Sequence, residues 1–129
     1  MKPDKVIRAA LWISVPFNAI AAYIAAVPSS WPGQLVGLPE VVPAPYPEIL
    51  GFFIAAFGVV YAWLALQKTI SRPLVGFAAC AKIGVFMVAA LLWVSGDASG
   101  RLALLSIGDF VLAVVFFWWL FRTARYANK

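Results

Sequence analysis

Two ionisable side chains stand inside apolar stretches, where some chemistry or some specific contact has to account for them. Lys82 lies in "RPLVGFAACAKIGVFMVAALLW", residues 72–93, and Asp109 in "LALLSIGDFVLAVVFFWWLF", residues 102–121. An ionised group at the centre of a membrane helix costs roughly 2.5–3.5 kcal/mol on insertion scales, so two of them need partners or a purpose. Lysine escapes such a cost from near a helix end by snorkelling, but Lys82 is about ten residues, roughly 15 Å, from either end of its run. A lysine and a carboxylate at one depth can form an ion pair, share a proton as neutral partners, meet a polar group entering between helices, or act as base and acid.

Much other chemistry is excluded by missing parts. The chain has no histidine and a single cysteine, Cys80. An intramolecular disulfide, imidazole or multi-thiolate metal sites, serine–histidine dyads and haem–histidine ligation therefore all lack their side chains. Five acids spread over the chain offer no carboxylate cluster, so neither a metal nor another cofactor is expected. Cys80, two residues from Lys82, lies about 200° around a helix and reads as lipid-facing or packing.

The elements that must position Lys82 and Asp109 follow from composition. With 129 residues, 64% of them hydrophobic and only 12% charged, and a mean hydropathy of +0.94, the chain has room for one domain and too much apolar surface to hide from water. Lipid is the expected solvent. The net charge of +5 raises nucleic acid as a partner, but the basic residues flank apolar runs instead of forming a polar face with interleaved aromatics, and nucleic-acid binding is not expected.

Four runs, at about 6–27, 48–66, 73–94 and 101–121, are each long enough at about 1.5 Å per residue to cross a hydrocarbon core of about 30 Å. The first begins after "MKPDK" and could be mistaken for a secretory signal, but it exceeds the usual signal core and Pro28 fits poorly after a cleavage site; a retained helix is expected. Residues 28–47 hold six of the nine prolines and no Lys or Arg, and read as a non-helical outer loop with at most a short turn near Gly33–Leu38. Lys2, Lys5, Arg8, Lys68, Arg72, Arg122, Arg125 and Lys129 fall on one side of a four-crossing arrangement, and only Arg101 on the other. The expected architecture is an all-α, antiparallel four-helix membrane bundle with both termini cytoplasmic.

Depth counting then brings polar groups together. From the turn near Asp97, Lys82 lies about fifteen residues back and Asp109 about twelve forward, a mismatch of roughly 5 Å that a lysine stem covers. Asn18 and Ser14 on the first helix and Tyr61 on the second reach the same slab, and Ser106 shares a face with Asp109. Inward stripes are expected along Ala10, Ser14, Asn18, Ala21 and Ala25; Gly51, Ala55, Gly58 and Ala62; Val75, Ala78, Lys82, Val85 and Ala89; and Leu102, Ser106, Asp109, Ala113 and Phe116. Residues such as Asn18, Ser14, Ser106 and Tyr61 are more often interhelical hydrogen-bond glue than site residues. Glu48 stands at the outer mouth of the second helix, where its charge also suits the helix N-terminus.

With "FNAIAAY", "GFFIAAFGVVYAWLA", "AKIGVF" and "GDFVLAVVFFWWL" on four helices around a proline-rich loop, the chain resembles a group of small bacterial four-helix inner-membrane proteins, broadly DoxX-like. The resemblance implies a fold and a bacterial inner-membrane location. DoxX-like proteins proper are linked with respiratory or redox partners, yet no redox ligand or cysteine pair here matches, and no catalytic role carries over. Three functions remain open: a polar-centred bundle that binds or passes a small lipophilic molecule or a proton; an accessory subunit of a larger membrane complex, or a homo-oligomer, in which Lys82 and Asp109 only pin helices; and a lipid- or isoprenoid-modifying enzyme.

Overall fold

A computed structural model of the chain describes residues 2–127, and Lys129 of the charge argument lies outside them. Its order is α1 (Pro3–Ala26), α2 (Trp31–Leu35), α3 (Tyr46–Leu66), α4 (Arg72–Ser95) and α5 (Gly100–Ala127), with no strand among the described residues. The four long helices are each long and apolar enough to cross a membrane. Prolines sit in the first turn of α1, α2, α3 and α4, where the missing N–H costs nothing because that donor has no partner within the helix. The α4–α5 turn is closed by Gly96 at φ 83°, with the Asp97 N–H donating to the Leu92 carbonyl at 2.8 Å.

The loop between the first two long helices differs from a non-helical segment. Residues 31–35 are helical because Ser30 caps them, its Oγ accepting from the Gly33 N–H at 3.3 Å, while Pro32 falls in the tolerated first turn. Gln34 ties the short helix back, donating to the carbonyls of Pro28 at 2.9 Å and Leu38 at 3.2 Å. The segment then latches onto the start of α5: Ser99 Oγ donates to the Val36 carbonyl and Arg101 to the Leu35 carbonyl at 3.1 Å. Between them Gly37 holds φ +79°, and a Cβ there would stand 2.7 Å from the Ser99 side chain. Gly37→Ala should therefore loosen the latch, with left-handed backbone alone costing about 1–2 kcal/mol, and limited proteolysis should cut residues 31–42 faster than in the native chain.

Helix contacts run in ordered series. On α1 and α3, Ala26 meets Gly51, Asn18 meets Gly58, and Arg8 donates to the Ala65 carbonyl, one that α3 leaves open at its end, and to the Lys68 carbonyl just beyond it. A Cβ on Gly51 would lie 2.6 Å from that of Ala26, so glycine is what allows this approach. On α4 and α5, Phe86 packs on Phe110 with ring centroids 4.8 Å apart, Lys82 meets Asp109, and Arg72 donates to Thr123 Oγ1 and to the Leu120 carbonyl at 2.9 Å. Between α1 and α5, Phe17 lies over Gly108 and Trp119 Nε1 donates to Asp4 Oδ1 at 3.1 Å.

These contacts gather residues 4, 8, 68, 72, 119 and 123 at one end, here termed the basic end, and the 27–45 loop with the 96–99 turn at the other. The half next to the basic end is filled by one apolar core, with Ile7, Leu11, Tyr61, Leu64, Val75 and Phe116 nearly inaccessible. Outward faces carry Phe52, Val59, Leu91, Val94 and Phe121, a surface suited to lipid and not to water. Two expected stripe positions differ: Ala55 and Val85 are exposed, because α3 turns Ala55 outward and Val85 borders a cleft.

Candidate functional site

Lys82 closes the packed half. Its Nζ donates to Asp109 Oδ1 at 2.9 Å and to Asn18 Oδ1 at 3.4 Å, and lies 4.8 Å from the ring centre of Tyr61 and 5.3 Å from that of Phe17. Two oxygens and two aromatic faces thus surround an ammonium that is only 2% exposed. Asn18 is itself held, its Nδ2 donating to the Ile54 carbonyl of α3 at 3.0 Å. All four long helices contribute to this constellation, α1 with Phe17 and Asn18, α3 with Tyr61, α4 with Lys82 and α5 with Asp109.

The other sequence-selected residues divide. Ser14 is buried but donates to the Ala10 carbonyl of its own helix at 2.8 Å, and Ser106 donates to the Ala103 carbonyl at 2.7 Å, so neither hydroxyl joins the lysine. Glu48 is exposed in the first turn of α3, where its charge suits the helix N-terminus, and lies outside the cleft lining. Cys80 is exposed. Among the described residues no three His, Cys, Asp or Glu side chains come together as a metal would require.

Above the ion pair, toward the proline-rich end, the helices enclose a cleft of about 640 Å³. Phe17 and Ala21 of α1, Leu50 and Ile54 of α3, Gly84, Val85 and Val88 of α4, and Leu102 and Leu105 of α5 form its walls; Pro28, Leu38, Pro39 and Val42 of the latched loop roof it. Its size falls in the range of small-molecule sites, about 300–1,000 Å³. At its deep end the polar side chains are Asp109 and Ser106, and Lys82 is not part of the lining. The ion pair is therefore asymmetric: the carboxylate is 16% exposed, the ammonium sealed behind it.

No family model, curated protein or solved structure matches this chain. Sequence reasoning missed Phe17, which the "FNA" order disguised as ordinary apolar surface, and Gly84, which lies two residues after Asn18's partner lysine and borders the cleft without a side chain. A Cβ on Gly84 would meet nothing within 4 Å. The loop residues of the roof carried no signal beyond proline content, because their placement depends on Ser99 and Arg101 more than sixty residues away.

Proposed function

We propose that this chain is an antiparallel four-helix protein of the bacterial inner membrane, both termini cytoplasmic, that binds a small lipophilic molecule in the cleft between α3 and α4. The observation that carries the binding reading is the cleft of about 640 Å³ whose apolar walls end on a partly exposed carboxylate, that of Asp109. Orientation is supported by Lys2, Lys5, Arg8, Lys68, Arg72, Arg122 and Arg125 flanking one set of helix ends against Arg101 at the other. Binding is favoured over passage because the cavity stops at Asp109, behind which Lys82 is sealed, and the half beyond is closed by Leu11, Tyr61 and Phe116.

The experiment is saturable binding of tritiated 1-dodecanol to the detergent-solubilised, immobilised protein, read by scintillation proximity, with Gly84→Trp as the cleft-filling variant. Gly84 lines the cleft and a Cβ there meets nothing within 4 Å, so an indole at this position is expected to narrow the cleft without displacing backbone. Affinity should fall about tenfold or more in the variant while its far-ultraviolet circular dichroism stays native. Saturable binding that survives Gly84→Trp unchanged would remove the cleft as the site. Absence of saturable binding in the native chain would leave the accessory-subunit reading in its place.

A further inference from the structure

We infer that the molecule the cleft takes is a neutral lipophile with a hydrogen-bond-donating head, of which a long-chain alcohol is the simplest example, its hydroxyl donating to Asp109 at the deep end. The inference rests on the binding reading above and adds the chemistry of the head. Its basis is the donor and acceptor inventory at the bottom of the cleft. Asp109 Oδ1 is taken by Lys82, and Oδ2 has no protein donor among the described residues. Ser106 has already spent its hydroxyl hydrogen on the Ala103 carbonyl, so toward the cleft it can only accept. The nearest ammonium, Lys82, is enclosed by Asp109, Asn18, Tyr61 and Phe17 and does not reach the cleft. The deep end therefore offers acceptors alone, and an occupant whose head only accepts would strip a carboxylate oxygen of water without replacing the hydrogen bond.

Charge selects further within the donor class. Lys82 and Asp109 already cancel, so a cationic head would add one uncompensated positive charge to a low-dielectric slab and an anionic head would face Asp109 directly. A neutral hydroxyl adds none. Walls built from Leu50, Ile54, Val85 and Val88 take the hydrocarbon, and the opening between α3 and α4 lets it arrive from lipid.

The test displaces tritiated 1-dodecanol with matched chains, namely 1-dodecanol, undecyl methyl ether, dodecylamine and dodecanoate, on the full-length protein. The alcohol should displace about tenfold better than the ether, and better than the amine or the carboxylate. In Lys82→Met/Asp109→Leu the advantage of the alcohol over the ether should vanish. In Asp109→Asn, which keeps the shape, it should shrink because a neutral amide replaces an anionic acceptor. Equal displacement by alcohol and ether in the native chain would overturn the inference yet leave the cleft reading intact, provided both are lost in Gly84→Trp. Tighter binding of the amine, or an alcohol preference that persists in both Asp109 variants, would also overturn it. Failure of tritiated alcohol and tritiated ether alike to bind saturably would overturn both.

Discussion

Lys82→Met alone should destabilise the detergent-solubilised protein by about 3–5 kcal/mol, whereas Lys82→Met/Asp109→Leu should recover most of that loss. The single change leaves Asp109 without its ammonium at 2.9 Å and Asn18 Oδ1 without its donor, inside a slab where water cannot substitute freely. Methionine fills much the same volume as the lysine stem, so packing against Tyr61 and Phe17 is largely kept and the loss reports the orphaned charge. The double change removes both charges together, and an apolar pair between α4 and α5 needs no compensation. Thermal denaturation in a mild maltoside detergent, followed by tryptophan fluorescence, checks this. Equal loss in single and double variants would show that the geometry of the pair, not its charge balance, holds the bundle.

Gly51→Leu should have the second-largest effect on the fold, because it acts where two helix backbones touch. A Cβ at residue 51 would stand 2.6 Å from Ala26 Cβ and 3.0 Å from the Ala22 carbonyl, and neither neighbour is a flexible side-chain tip that can swing aside. α1 and α3 would have to part, pulling Asn18 away from the Ile54 carbonyl and from Lys82 further along the same seam. Overpacking of this kind costs about 1–3 kcal/mol, and leucine's stronger helix propensity, about 1 kcal/mol better than glycine, offsets only part of it. The same substitution at Gly84 meets open space and should be tolerated, so the contrast between the two glycines in one denaturation assay separates helix–helix contact from helix propensity.

The parts of this arrangement that depend on position along a helix were legible in the residues. Counting from the Gly96 turn brings Lys82 opposite Asp109, and the same arithmetic brings Asn18 to their depth, since a rise of about 1.5 Å per residue leaves little freedom once the turns are located. Proline, which reads as a helix breaker, concealed α2 because Pro32 occupies the one turn where it does no harm. Ser14 and Ser106 illustrate a second limit: depth and face were right for a shared site, but each hydroxyl found a nearer acceptor on its own helix. The cleft itself has no local signature. It exists because α3 and α4 meet through Phe57 and Phe77, stacked at 5.9 Å nearer the basic end, and leave room between Ile54 and Val85 above them.

The most direct measurement is an experimental structure of the full chain, purified in a mild detergent with 1-dodecanol present. The account predicts elongated density between α3 and α4, bordered by Leu50, Ile54, Val85 and Val88, with its polar end within about 3 Å of Asp109 Oδ2 and Lys82 still on Oδ1. A bundle in which α3 has closed onto α4, Ile54 packing on Val85 and Asp109 meeting only Lys82, would contradict it.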